Sequence, residues 1–181
     1  MRKLSVSLIA AAALAVSALP AAADPLASWD AVIAGGSRFR ILPSFGNMAV
    51  LDRETGLVWE RSPDTGTRDW LSAKRFCVER VVGIGNRIGW RLPTVQELAS
   101  VVDPTQDKVF GVPALPAGHP FTQVQADFYW TATTFGENPA LAWGVSFEDG
   151  ILIGPGVRFS GKEVPFFTWC VRTGHPGSDV Q

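Results

Sequence analysis

The stretch "GWRLPTVQELASVVDP", Gly89 to Pro104, decides the fold expected for this chain. Trp90 and Leu92 alternate with Arg91, which is typical of a short strand with one apolar and one polar face. Pro93 cannot donate a hydrogen bond to a strand ladder, so the strand is predicted to end there. Because a helix start follows at once, we interpret the stretch as scaffold rather than as a catalytic loop.

The second half of this stretch contains the start of a helix. Thr94 and Glu97 make the T-x-x-E pattern of a capping box, in which each side chain bonds to the backbone N–H of the other residue. An apolar stripe follows, formed by Leu98, Val101 and Val102. Arg91 is predicted to be structural and to pair with Glu97 or Asp103, although a polar side chain beside a tryptophan could also bind a ligand.

Upstream, the chain predicts a β-hairpin and a first helix. Residues 46–61, GNMAVLDRETGLVWER, have two apolar runs around a polar turn that ends at Gly56. In residues 69–82, DWLSAKRFCVERVV, Asp69 can cap a helix. The apolar face of that helix is predicted from positions one turn apart, namely Trp70, Ala73, Cys77 and Val81.

Downstream, a proline-rich loop leads into a series of strands. Residues 110–126 lack periodicity and are predicted to form a long ordered loop. Strands are predicted over residues 128–134, 141–148, 151–154 and 165–172, with an Asp149–Gly150 turn between the second and the third. Two helices and then antiparallel strands favour an α+β domain with a mostly antiparallel, twisted sheet.

The tryptophans are predicted to lie mainly in the core. Six of the seven fall within predicted strands or on the apolar helix face, where a core position is more common than a sugar platform. These six are Trp59, Trp70, Trp90, Trp130, Trp143 and Trp169. Trp143 is placed on the core face of its strand because Leu141, Val145 and Phe147 share that face.

The first residues predict export. Residues 1–23 combine two basic residues, an apolar alanine-rich run and a final Ala-Ala-Ala, which is typical of a secretory signal peptide, with a membrane anchor as the alternative. We expect an N-terminal segment over 24–45, one domain over 46–173 and a loose tail over 174–181. The mature chain is predicted to be periplasmic or secreted, without membrane insertion after cleavage of the signal.

The charge of the mature chain argues against nucleic-acid binding. Without the two basic residues of the signal it would carry 14 basic and 17 acidic residues, a net charge of −3. Nucleic-acid binding relies on many phosphate contacts from lysine and arginine.

The two cysteines, Cys77 and Cys170, predict a disulfide, because an even number of cysteines in an exported protein is usually paired. Two free buried thiols are the alternative.

Several motifs, in order, resemble the Lcl C-terminal domain family, long catalogued as a domain of unknown function. They are VLDRETGLVWER, DWLSAKRFC, GWRLPTVQEL, YWTATT, AWGVSFEDG and WCVR, over about Val50 to Arg172. The resemblance implies a C-type-lectin-like fold, in which a cysteine of the first helix pairs with one of the last strand, as Cys77 and Cys170 would. RLPTVQEL is also distantly similar to a cassette of the formylglycine-generating enzymes and the sulfoxide synthases, which share this broad fold.

No catalytic residue, cofactor or metal site is predicted. The formylglycine-generating relatives hold copper with two cysteines, but the two present here suit a structural bridge. The sulfoxide synthases bind iron with three histidines, whereas this chain has only His119 and His175. Residues 137–139, E-N-P, contain the residues of a lectin calcium motif in another order, and we interpret this match as coincidental. Calcium takes about six to eight oxygen ligands, so other oxygen-bearing side chains would also have to converge there.

The most favoured function is that of an exported, non-enzymatic binding module that recognises a polysaccharide or a protein through loops at one end. The candidate loops are residues 135–140 and 154–164, together with the proline-rich loop around His119. Their candidate ligand-binding residues are Phe135, Glu137, Asn138, Arg158 and Lys162. A cryptic enzyme of the formylglycine-generating type and a structural component of the cell envelope are the alternatives.

Overall fold

The computed structural model describes residues 35–106, 111–148 and 156–174. The helices of these ranges are α1 (Gly35–Arg38), α2 (Trp70–Glu79) and α3 (Val95–Ala99), with a 3-10 turn at Pro43–Phe45. The strands are β1 (Phe39–Ile41), β2 (Ala49–Asp52), β3 (Leu57–Glu60), β4 (Asp64–Arg68), β5 (Phe128–Thr134), β6 (Leu141–Ser146), β7 (Gly156–Gly161), β8 (Phe166–Thr168) and β9 (Val171–Thr173).

The strands form two sheets rather than one. The first has the order β1-β2-β3-β9 and is antiparallel throughout. The second has the order β4-β8-β5-β6-β7 and is antiparallel except for the β5–β8 pair. The predicted α+β class with mostly antiparallel strands is therefore confirmed.

Several sequence predictions lie outside the described residues. They concern the signal peptide, most of the N-terminal segment, the Asp149–Gly150 turn, the strand over 151–154 and the tail after Gly174. In the part of the chain that the structure does describe, no helix is long and apolar enough to cross a membrane.

The hairpin of β2 and β3 forms as predicted. Gly56 has a φ of 71°, the left-handed conformation that glycine adopts without steric cost. The turn is also held by a buried ion pair, since Arg38 donates to both carboxylate oxygens of Asp52 at 2.8 and 2.7 Å. Asp52 in turn accepts hydrogen bonds from the backbone of Glu54 and the hydroxyl of Thr55, so no oxygen of this buried carboxylate lacks a donor.

Helix α2 begins as predicted but ends earlier. Asp69 caps it by accepting a hydrogen bond from the backbone N–H of Ser72 at 2.9 Å. Cys77 is fully buried and forms the disulfide with Cys170, which confirms that prediction. The helix stops at Glu79 because Arg80 adopts an extended backbone, and Val81 is consequently 48% exposed rather than part of the buried face.

The stretch from residue 89 to 104 differs from its prediction in detail. Trp90 and Leu92 are both buried, but the predicted strand is reduced to a single bridge, in which Arg91 and Val171 exchange backbone hydrogen bonds at 2.9 Å. The capping box of Thr94 and Glu97 is present. Helix α3 ends at Ala99, before Pro104 is reached.

The predicted last strand over 165–172 is divided between the two sheets. β8 pairs with β4 and β5, whereas β9 pairs with β3. Between them, the N–H of Cys170 donates to the Glu60 carboxylate at 3.1 Å, and its carbonyl accepts from the Glu60 N–H at 3.2 Å. Trp169 and Cys170 are fully buried, so the chain crosses from one sheet to the other inside the core.

The core prediction for the six tryptophans is only partly correct. Four are buried: Trp59, Trp90, Trp130 and Trp169. Trp70 and Trp143 are partly exposed. Trp70 is nevertheless fixed, because its Nε1 donates to the carbonyl of Thr131 at 2.8 Å. The described part of the proline-rich loop, residues 111–126, has no helix or strand but is ordered, and Phe121 from this loop lies in the core.

We predict that reduction of the disulfide strongly destabilises the domain. The bridge joins residues 93 positions apart, and chain-entropy arguments give about 4–5 kcal/mol of unfolding free energy for a loop of that length. Urea unfolding with and without reductant measures the difference. A Cys77→Ser, Cys170→Ser double variant is the control and should not respond to reductant. Titration of two reactive thiols in the denatured, unreduced protein would contradict the prediction.

We predict that the Arg91–Glu97 pair contributes modestly to stability. Arg91 donates two hydrogen bonds to Glu97, at 2.8 and 2.7 Å, but its side chain is 40% exposed and solvent screens the pair. Arg91→Ala should therefore cost about 1 kcal/mol, within the range of measured ion pairs near a surface. Glu97→Ala should cost more, since it also removes the capping box. A loss of several kcal/mol for Arg91→Ala would contradict this interpretation.

The same pair predicts a pH dependence. Burial alone would raise the pKa of Glu97, but the hydrogen bonds from Arg91 and Thr94 outweigh it and hold the pKa below its ordinary value. A lowered carboxyl pKa stabilises the fold above the ordinary pKa, and this contribution is lost as pH falls through the lowered one. The stability difference between wild type and Arg91→Ala should therefore shrink on acidification, as urea unfolding at neutral and acidic pH would measure. A pH-independent difference would exclude this linkage.

Candidate functional site

Three aromatic side chains form a cluster on the outer strands of the second sheet. Trp143 of β6 lies directly opposite Phe159 of β7 in the strand register. Phe135, which follows β5, stacks on Phe159 with ring centroids 4.3 Å apart and planes inclined by 16°. Trp143 meets both phenylalanines edge-on at 5.5 Å. We call these three residues the aromatic ledge.

The ledge is only partly covered, although it lies on an apolar face of the sheet, which is the kind of face that is usually buried. Val145 lies on the same face as Trp143 and is buried. A small cavity on this face is lined by Ala99, Val102, Val145 and Val157, which places the end of α3 and the segment after it over that part of the strands. The partial exposure of Trp143 and the 49% exposure of Phe159 show that this cover does not extend over the next cross-strand pair.

The loop over residues 135–140 brings three of the predicted site residues together. The N–H of Phe135 donates to the carbonyl of Leu141 at 3.0 Å, which sets the ring beside the strands. Asn138 shapes the turn, since its side-chain oxygen accepts from the N–H of Ala140 at 3.0 Å. Glu137 is exposed in the same loop and therefore faces solvent near the ledge.

Lys162 contacts this loop, but its ammonium group already donates hydrogen bonds within the protein. Its ammonium group donates to the carbonyl of Pro139 at 2.7 Å and to the hydroxyl of Thr134 at 3.2 Å. It also lies 4.0 Å from the centroid of the Trp70 ring. Lys162 therefore fastens the loop to the sheet and to α2, which is a structural position.

The structure separates Arg158 from the ledge. The prediction that residues 154–164 form a loop is wrong for their middle, because residues 156–161 pair with β6 as strand β7. Successive side chains of a strand point to opposite faces, so Arg158 lies on the other face from Phe159. Its guanidinium lies 5.3 Å from the centroid of the Phe128 ring.

His119 of the proline-rich loop is packed against the core. Its ring stacks on Phe121 at 5.9 Å, and burial lowers the pKa of its imidazole. His175 lies outside the described residues. Over the described ranges, no group of three or more histidine, cysteine or acidic residues is arranged to hold a metal ion.

A polar cleft of about 550 Å³ is a second surface feature, which the sequence analysis did not predict. Its lining comes from four separate parts of the chain, so no local motif could indicate it. The deepest of its charged groups is Glu60, whose side chain is almost fully buried. Burial raises the pKa of Glu60, and the bonds from Arg80 and from the Cys170 N–H offset this only in part.

The ledge itself had a partial signal in the sequence. In GVRFSG, residues 156–161, the apolar Val157 and Phe159 alternate with Arg158 and Ser160, as in a half-buried strand. Such alternation would have placed Phe159 on a sheet face. It would not have shown whether that face is covered.

Neither a curated protein nor a solved structure matches the chain significantly, so the C-type-lectin-like assignment stays a prediction. The model of the Lcl C-terminal domain family matches residues 48–172, a range that contains both cysteines, the capping box and the whole ledge. Since this match covers more than half of the sequence, the chain belongs to the Lcl C-terminal domain family.

Proposed function

We propose that this protein is an exported, non-enzymatic binding module and that its aromatic ledge binds the sugar rings of a polysaccharide. The observation that carries the proposal is a cluster of three mutually packed aromatic rings near one edge of a sheet, in which Phe159 is exposed and Phe135 and Trp143 are partly exposed. Large apolar groups exposed together are a common mark of a binding surface.

The chemistry of the rings suits a saccharide. The C–H faces of a pyranose ring are apolar and slightly positive, and the face of an aromatic ring is negative. Phe159 offers an open surface, since its side chain is 49% exposed. The exposed carboxylate of Glu137, on the adjacent loop, can accept hydrogen bonds from sugar hydroxyls.

The shape of the ledge favours a polymer over a small sugar. Phe159 lies on an outermost strand and is 49% exposed, so its ring is an open surface rather than part of a closed pocket. An open surface gives each sugar unit few contacts, so affinity must come from several units bound side by side. Signal-directed export would bring such a module to envelope or extracellular polysaccharides.

We predict that Phe159→Ala weakens polysaccharide binding by about fivefold or more, because aromatic contacts contribute about 1 kcal/mol beyond burial. Affinity electrophoresis of the mature protein in gels that contain soluble β-glucan, xylan, starch or dextran would measure this. Leu71→Ala is the matched control, since Leu71 is also an exposed apolar residue but lies on α2. Retention of wild-type binding by Phe159→Ala, or absence of binding to every polymer tested, would count against the proposal.

The enzymatic alternative makes a different prediction. A cryptic enzyme of the formylglycine-generating type would purify with stoichiometric copper or iron, whereas a binding module needs neither. Metal analysis of the purified protein distinguishes the two. If the Phe159→Ala variant still co-purified with native envelope fractions, the result would instead favour the alternative that the protein is a structural component of the cell envelope.

A further inference from the structure

The polar cleft shares no residue with the ledge and has the volume of a small-molecule site. It lies between the β3–β4 connection, the end of α2 and the proline-rich loop. The lining residues on which the argument depends are Asn47, Met48, Arg61, Ser62, Val81 and Gln123.

Arg61 is the fixed positive group of the cleft. Its backbone N–H donates to the carbonyl of Met48 at 2.9 Å, and its carbonyl accepts from the N–H of Thr122 at 2.8 Å. The guanidinium donates to the carbonyls of Pro120 at 3.1 Å and Asn47 at 3.4 Å. Neutral carbonyls orient the guanidinium without cancelling its charge, so the group is held ready for an anion.

The other charges of the lining are already paired. Glu60 binds Arg80, and Asp64 binds Arg68 at 2.7 Å. Within residues 35–106, 111–148 and 156–174, no carboxylate lies within ion-pair distance of Arg61. Arg61 therefore leaves a positive charge at the cleft that these acids do not balance.

The lip of the cleft is apolar. Met48 and Val81 both line it, and their side chains are 57% and 48% exposed. Two large apolar side chains beside a fixed cation form a surface that is complementary to a molecule with an anionic head and an apolar chain.

The backbone of the cleft adopts a left-handed conformation at two residues other than glycine. Asn47 and Gln123 have φ values of 62° and 58°, in the left-handed region that non-glycine residues seldom adopt. The side-chain oxygen of Gln123 accepts from the hydroxyl of Ser62 at 2.7 Å and helps to hold this rim in place. This hydrogen bond and the fixed backbone conformations of Asn47 and Gln123 give this part of the cleft a defined shape.

We propose that the cleft binds a small organic carboxylate whose apolar chain lies along Met48 and Val81 while its carboxylate pairs with Arg61. A planar guanidinium can donate two parallel hydrogen bonds to a carboxylate, which distinguishes this head group from a neutral amide of the same shape. The site is independent of the ledge, so either proposal can fail alone.

Three probes separate the two halves of the proposed contact. Hexanoate carries both the charge and the chain, hexanamide has the same shape without the charge, and acetate has the charge without the chain. Titration of the full mature protein, followed by amide NMR shifts, should show hexanoate bound about tenfold or more tightly than either of the others. Equal binding of hexanoate and hexanamide by the wild type would overturn the proposal without recourse to any variant.

Variants then assign the contact to named side chains. Arg61→Gln should abolish the preference for hexanoate over hexanamide, whereas Arg61→Lys should keep part of it. Arg53→Gln is the matched control, because the Arg53 guanidinium also bonds to a backbone carbonyl, that of Ser37 at 3.2 Å, but does not line the cleft. Val81→Ser should reduce the preference for hexanoate over acetate.

The location of the bound probe keeps the test decisive if Arg61→Gln does not fold. In the wild type, hexanoate should shift the amide signals of residues 47–48, 61–62 and 122–123. Shifts confined to other residues, or an undiminished charge preference in a folded Arg61→Gln variant, would refute the site.

Discussion

The buried carboxylate of Glu60 is the interaction on which the rest of the structure depends. A charge removed from water must be paired and hydrogen-bonded, or the fold loses several kcal/mol. Glu60 meets this requirement by binding Arg80 through one oxygen and the N–H of Cys170 through the other. Its backbone also bonds to Cys170, and its carbonyl accepts from the indole of Trp169 at 2.9 Å. One residue thus joins β3, the end of α2 and the crossing between β8 and β9.

Both surface features follow from this junction. Because Arg80 leaves the helix to reach Glu60, α2 ends early and Val81 emerges at the lip of the cleft. Because the chain is held at Cys170, β8 and β9 belong to different sheets. β8 supports the five-stranded sheet, whose outermost pair of strands, β6 and β7, carries most of the ledge.

The parts of the fold that sequence could predict depend on neighbouring residues. Asp69 caps α2 through Ser72, and Thr94 reaches Glu97 within one helical turn, so short motifs describe these features completely. The division of the last strand could not be predicted, since it results from a contact between Glu60 and a residue 110 positions later. No local pattern carries information about such a pair.

The candidate site was predictable to the same limited extent. Loop composition selected Phe135, which the structure places in the ledge, but it grouped Arg158 with it because a strand was taken for a loop. Trp143 was assigned to the core because alternation identifies a sheet face without showing how far the neighbouring helix covers it. How much of this face is covered depends on where α3 ends, and helix boundaries are the least certain part of any prediction from sequence.

The pairing of β3 with β9 has a consequence for how the domain is made. Leu57 pairs with Thr173, so an early hairpin acquires its neighbour from the last strand that the structure describes. Contacts between such distant residues close large loops and form slowly. During synthesis the β3 edge of the hairpin therefore stays unpaired until nearly the whole domain has been made. The time spent in that state favours post-translational folding and exposes the β3 edge to chaperones and to aggregation.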